Sequence, residues 1–313
     1  MNRVRLLARK YMSKNVRSKL GRLAAVLDYY TERALQRRGP ASPNVILGLP
    51  QGPVGPSRFN RRLCKLCEES DWRGEDWLGL LTALGVEKTL EKKHRKEWEW
   101  AQGLYALDQL GLLREDATAV GIGAGTEPVI YYLANRIKTV YATDIYSEGE
   151  FANQTAFSNM LVTPEDYSPI PFRKDHLITR YMDGRQLEFP DNAFDFAFSF
   201  SSIEHFGSHE NSGQAVREMG RVVKPGGAVV ITTEAVLNGE SHDEYFRPED
   251  IDQYLVRNTG LRLIEDIDYT ISAKTLADIV DCRLPHYAHT VPHIVLKFRN
   301  VCWTSVCLVM EKV

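Results

Sequence analysis

Apolar residues recur along this chain in two rhythms. Short apolar runs bounded by Gly, Pro, Asn or Asp stand near 118–122, 138–143, 177–182, 194–200 and 227–233, with later ones near 261–269 and 302–310. Their length and flanks predict strands. Between them, apolar positions three and four residues apart predict helices near 127–136, 210–223 and 248–259. Strand–helix alternation of this kind implies parallel βαβ units. Upstream, residues 60–115 read as helical: a short piece from Arg61 to Glu69, a second from Trp77 to Leu84 stopped by Gly85, and a long one from Lys88 to Leu110. The long helix carries Trp98, Leu104, Leu107 and Leu110 on one stripe, so its tryptophans either anchor it to the sheet or line a cleft. Residues 39–59 place Pro and Gly around the apolar patch Val45–Leu49 and read as a loop.

The stretch that organises the rest is Thr118–Glu127, with glycines at 121, 123 and 125, followed by a helical run that opens on Pro128. Glycine suits a tight strand-to-helix turn because a ligand can lie against a backbone with no Cβ. Proline fits a first helical turn, where its missing N–H costs nothing. The next strand ends in Asp144 with Ile145 beside it. That carboxylate stands about 20 residues beyond the turn, the offset at which an acid reaches a ribose hydroxyl. A dinucleotide or another adenosine ligand fits these residues, but the third glycine comes one residue early for the pyrophosphate-binding G-x-G-x-x-G.

Two later segments follow in order, Phe194–Phe206 and Met219–Thr233, the second containing the turn Lys224-Pro-Gly-Gly227. Together with the first two, they make the chain similar, over roughly 118–260, to a class I S-adenosylmethionine-dependent methyltransferase of the type 11 kind. The resemblance implies an α/β fold: a Rossmann-like seven-stranded, mostly parallel sheet with helices on both faces, here with an N-terminal helical extension. It places the methyl donor, S-adenosylmethionine, over the carboxyl ends of the early strands. It implies that Gly121, Gly123 and Gly125 approach the methionine and ribose portion, and that Asp144 accepts from the ribose hydroxyls. Asp183 and Gly184 then fall where an acid meets the adenine amino group, and Phe200 and Ser201 line the donor pocket. One position departs from the pattern: the family has an acid two residues before the first glycine, where this chain has Ala119. Glu127 is the candidate substitute, against the plainer reading of a first-turn glutamate favoured by the helix dipole.

The acceptor approaches after the fourth strand, at Ser201-Ser-Ile-Glu-His205. His205 is the candidate general base, since an imidazole titrates near neutral pH, and Glu204 is the candidate group to orient it. A Glu-His pair also resembles the metal-binding stretch of two O- and 2′-O-methyltransferase families, with His209 as a further ligand. Those families have another glutamate where this chain has Ser201, and a hard cation wants oxygen ligands, so no metal is assigned. Cys64-x-x-Cys67 lacks the remaining ligands that a structural zinc site needs. The expected reaction is O-methylation of a hydroxyl on a sugar, glycolipid or other small metabolite. The alternatives are N- or C-methylation of a small metabolite and a non-catalytic donor-binding module.

Composition adjusts this picture at its edges. The 39 basic and 41 acidic residues nearly cancel, which disfavours a nucleic-acid partner. Five cysteines in 313 residues are not a secreted disulfide framework, so a cytoplasmic location is the expectation. No apolar run is long enough to span a bilayer. Residues 1–38 form a basic arm with no acid before residue 23 and apolar positions near helical spacing, from Val4 to Leu27. It reads as a helix packed on the domain by one face, as a peripheral membrane contact, or as a transit peptide. Residues 116–313 form the expected catalytic domain, capped by the helices of 60–115. Two long stretches, 145–176 and 271–300, are assigned to acceptor recognition, since insertions of that length serve as lids or binding loops. Oligomeric state is not legible.

Overall fold

The structure, a computed structural model, describes residues 21–31, 48–50, 52–86, 92–146 and 157–313. Most of the basic arm and residues 147–156 of the 145–176 stretch lie outside these residues. A helix over residues 21–31 (α1) is described; Ala25 is buried, while Leu23, Leu27 and Tyr30 face solvent.

One mixed sheet of ten strands forms the centre. Its parallel half comprises β2 (Thr118–Ile122), β3 (Thr139–Asp144), β4 (Leu177–Tyr181), β5 (Phe194–Phe200) and β6 (Val223–Val236), in the order β4-β3-β2-β5-β6. β10 (Val301–Lys312) runs antiparallel to β6 from Trp303 to Glu311. Its other edge is covered in succession by β9 (Val295–Phe298), β1 (Lys65–Leu66) and β7 (Leu261–Leu263), all antiparallel to it. β8 (Ile279–Asp281) adds in parallel outside β9. The seven expected strands are therefore all present, and β1, β8 and β9 are additions.

β5 shows how the sequence makes the core. Phe194, Phe196, Phe198 and Phe200 alternate with Asp195, Ala197 and Ser199, and all seven are buried. A strand covered on both faces needs this near-continuous burial. The smaller face is satisfied by polar bonds: Asp195 Oδ2 accepts from Thr118 N at 2.8 Å, and Ser199 Oγ donates to Ile122 O at 2.8 Å. On the other face, Phe198 packs where a side chain at Gly121 would lie, and Phe200 fills the space left by Gly103.

Gly103 lies in α3 (Arg95–Gln109), which packs against β5, β6 and β10. Trp98 is fully buried on this helix and donates from Nε1 to Asp71 Oδ2 at 2.7 Å, so it is an anchor. α2 (Glu75–Ala83) packs on α3. Arg61–Glu69, read above as helical, instead runs extended through β1. Leu63, Cys64, Leu66 and Cys67 are buried there, and burial beside β10 overrides local propensity. The cysteines are free thiols, and burial pushes that of Cys64 up to about 12. The remaining helices are α4 (Pro128–Ala134), α5 (His209–Val222), α6 (Pro248–Asp250, continued by a π turn over Ile251–Val256) and α7 (Ala273–Ala277). Among the described residues, no helix is long and apolar enough to cross a membrane.

Candidate functional site

A cavity of about 380 Å³ opens over the carboxyl ends of β2, β3, β4 and β5. It lies where the strand order reverses, between β2 and β5, and open α/β sheets leave their binding crevice at such a point. Its first wall is the turn after β2. Gly123 and Gly125 have φ of +61° and +53°, the left-handed region that favours glycine. A Cβ at Gly123 would stand 2.6 Å from Ser202 Cβ, so this wall is bare backbone by necessity.

Asp144, at the tip of β3, supplies the second wall. Its Oδ2 accepts from Gly125 N at 3.1 Å, which ties the acid to the glycine turn, and its Oδ1 accepts from Tyr146 N at 3.3 Å. Burial pushes this carboxyl up, against the pull of those backbone N–H groups. Ile145 lines the cavity beside it. The third wall follows β4: Met182, Asp183, Gly184 and Arg185. Arg185 grips the Asp183 carboxylate from Nε at 3.0 Å and from a terminal nitrogen at 2.7 Å, and holds it below the usual carboxylate range. Gly184 has no room for a Cβ, because Ile122 and Phe206 close over it.

Two helix starts form the rim. Lys96, in the first turn of α3, reaches Glu127 Oε1 at 2.7 Å and donates to Phe200 O at 2.9 Å. Burial would lower the lysine, but Glu127 and Glu99 outweigh it, so Lys96 stays a cation. Burial raises the Glu127 carboxyl, and Lys96 opposes that.

The fourth wall, after β5, holds Ser201, Ser202, His205 and Phe206. Ser201 has φ +53°, a conformation that costs a non-glycine residue ~1–2 kcal/mol. The strain sets its hydroxyl between two buried carboxyls, 2.9 Å from Glu204 Oε1 and 3.0 Å from Glu234 Oε1. Burial alone would raise Glu234, yet Arg95 at 2.7 Å holds it down at about 2. Among the described residues, no Lys or Arg pairs with Glu204 in this way. Burial, and then Glu234, push its carboxyl well above the usual range. His205 is partly exposed; its Nδ1 lies 3.5 Å from Glu244 Oε2 and its Nε2 3.9 Å from Glu204 Oε1.

The predicted residues thus divide. Gly123, Gly125, Glu127, Asp144, Ile145, Asp183, Gly184, Ser201 and His205 converge on one cavity. Gly121, Phe200 and Glu204 do not line it. Gly121 is the fourth residue of β2, where a Cβ would meet Phe198 Cζ at 2.6 Å, and the turn proper begins at Gly123. Phe200 points into α3. Glu204 turns inward, and Thr233 Oγ1 donates to its Oε2 at 2.9 Å, so the acid nearer to His205 Nδ1 is Glu244. His209 stacks on Phe246 at 4.5 Å, away from any ligand set. Among the described residues, no three His, Cys, Asp or Glu side chains gather as a metal set. Residues 271–300 carry α7, β8 and β9 and line no part of the cavity; they extend the sheet. Of the 145–176 stretch, the described cavity residues are Ile145, at its start, and Phe157. Sequence reasoning missed Lys96, Ser202, Arg185, Glu234 and Glu244.

The family model described as a methyltransferase domain matches residues 120–231, from the glycine turn through β6. Residues 120–231 form a methyltransferase domain. A protein of Oryza sativa subsp. japonica assigned as a chloroplastic tocopherol O-methyltransferase is 27% identical to the chain over 138 residues. The matched part is 44% of this chain and 34% of that protein, so the chain matches about a third of its relative's length. Among solved structures, the chain is similar to a candidate sarcosine dimethylglycine methyltransferase from Galdieria sulphuraria, at 14% identity and TM-score 0.48 over 76% of this chain and 98% of that one. It is also similar to geranyl diphosphate C-methyltransferase from Streptomyces coelicolor A3(2), at 17% identity and TM-score 0.46 over 68% and 77%.

Proposed function

We propose that the protein transfers the methyl group of S-adenosylmethionine to a hydroxyl of a small molecule, a sugar, glycolipid or other metabolite. The observation that carries this reading is the bond from Gly125 N to Asp144, which fixes a side-chain-free turn and a carboxylate as adjoining walls of one cavity. The residues present fit the donor. The bare backbone of Gly123 and Gly125 leaves room for the ribose and methionine portion. Asp144, which is acceptor-only once ionised, suits the two ribose hydroxyls. Lys96 and Glu127 offer opposite charges to the carboxylate and ammonium of the amino-acid end. The adenine end then falls toward Asp183 and Gly184, with the Asp183 carboxylate available once Arg185 shares it.

Bound donor supplies an electrophilic methyl on a sulfonium. The chain's own residues must hold an acceptor oxygen in line with it and remove its proton, and positioning alone supplies much of such a rate. We assign that proton to His205, which lies partly exposed at the cavity wall with Glu244 facing its Nδ1. The assignment of the rice relative to O-methylation agrees with a hydroxyl acceptor over the matched region.

Calorimetric titration of the full chain with S-adenosylmethionine and S-adenosylhomocysteine tests the donor half, with micromolar affinity expected. Absence of binding to both refutes the reading. Transfer of labelled methyl to a pool of hydroxyl-bearing metabolites tests the acceptor half, and label found only on nitrogen or carbon rejects the hydroxyl.

A further inference from the structure

Ser201 Oγ lies within hydrogen-bond distance of two carboxyl groups, at 2.9 Å from Glu204 and 3.0 Å from Glu234. A serine hydroxyl has one hydrogen to donate. It cannot donate to both, so one of the two carboxyls must itself donate to the serine oxygen. Glu234 shares its Oε1 with Arg95 at 2.7 Å and is the ionised member. Glu204 is therefore a neutral carboxylic acid. Its Oε1 donates to Ser201, Ser201 donates to Glu234, and Thr233 donates to its Oε2.

The charges around this acid explain why it keeps a proton. From α3 it is faced by Arg95, Lys96 and Glu99, from β6 by Glu234, and from its own turn and the loop after β6 by His205 and Glu244. Arg95 is matched by Glu234 and Glu99, and Lys96 by Glu127 and Glu99. Both nearby cations are already engaged, and a further buried negative charge would have no partner. One more positive charge entering the cavity would change that balance.

We propose that Glu204 is a proton-holding counter-charge for the cationic methyl donor: neutral in the free protein, it ionises when the sulfonium enters, and it does not ionise for the uncharged thioether product. The O–H bond of Glu204 breaks, its electron pair stays on the carboxylate, and the proton leaves to water. Such a device favours donor over product, because only the donor supplies the missing partner charge. The inference rests on the donor-binding reading above.

The test is calorimetry of the full chain with S-adenosylmethionine and with S-adenosylhomocysteine, each in phosphate and in Tris at one pH. The buffer dependence of the heat counts protons released. The expected result is about one proton more for the donor than for the product, and a product-to-donor Kd ratio that rises about tenfold per pH unit. Glu204→Gln should bind both ligands and lose the difference. Infrared difference spectra of the unaltered protein give a readout that survives a misfolded variant: the protonated-carboxyl band should vanish with donor and persist with product. Equal proton counts for the two ligands, or a difference kept in Glu204→Gln, overturns the proposal while leaving donor binding intact. Failure to bind either ligand overturns both.

Discussion

Lys96 Nζ and Glu127 Oε1 meet at 2.7 Å across the rim of the cavity, one in the first turn of α3 and the other capping the start of α4. A helix start favours an anion and disfavours a cation, so Glu127 suits its place, while Lys96 depends on Glu127 and Glu99. Lys96 is about a third exposed and Glu127 partly buried, so breaking the pair costs less than the ~3–5 kcal/mol of a fully buried one. Lys96→Met should therefore lower unfolding stability by about 1–2 kcal/mol. The double variant Lys96→Met/Glu127→Leu should recover most of the loss in urea titrations. A double variant no more stable than the single one would show that the pair is not the source.

Glu127 also separates a role toward the donor from simple capping. Glu127→Ala should weaken S-adenosylmethionine binding by about tenfold or more, the loss expected for a charged hydrogen bond. Glu115→Ala, outside the cavity, should leave affinity unchanged. Similar affinities for the two variants would reject the assignment of Glu127 to the amino-acid end.

Two glycines should respond to alanine with opposite signs. At Gly123 the left-handed backbone and Ser202 leave no place for a Cβ. Gly123→Ala should cost ~2 kcal/mol or more and remove donor binding. Gly79 lies inside α2 with open space around it, and Gly79→Ala should stabilise by up to ~1 kcal/mol. Thermal unfolding of the two variants reads both signs.

His205→Ala should lower methyl transfer to a hydroxyl acceptor by about 10²–10⁴-fold, the usual contribution of a general base. Donor affinity should stay within about twofold, since the base is not part of the donor grip assigned above. Undiminished turnover would point to an acceptor that needs no proton removed.

The Arg95–Glu234 pair predicts an acid limb in the stability curve. Arg95 overrides burial and holds Glu234 below its ordinary value of 4.5, at about 2. A carboxylate lowered in the folded state contributes fully above its unfolded value and loses that contribution as pH falls through the folded one. Glu234→Gln should be less stable than the unaltered protein at neutral pH by about 3 kcal/mol. The gap should narrow between pH 4.5 and about 2. A constant gap across that window would place the loss in packing rather than charge.

Much of this architecture was readable from local pattern. The glycine turn, Asp144 and the Phe-rich β5 lie within short segments whose geometry is set by neighbours in sequence. What escaped depends on distance along the chain. Arg61–Glu69 has helical composition but lies extended because β10 offers it an edge and a buried face. Residues 271–300 look like an insertion and become two strands, since β10 is longer than β7 can cover. Lys96 sits ahead of the glycine turn on a helix whose only visible signal was a stripe of large apolar residues. Glu244 follows β6 in a loop without a motif, and only the fold brings it to His205.

β10 unites Cys64 with Val309, 245 residues apart in sequence, while the cavity is built from successive strands and their adjoining turns. Closing so large a loop is a slow, entropically opposed event. Assembly speed should therefore depend on a seam that lines no part of the cavity. A bound nucleoside would lengthen the lifetime of the finished molecule without hastening its formation.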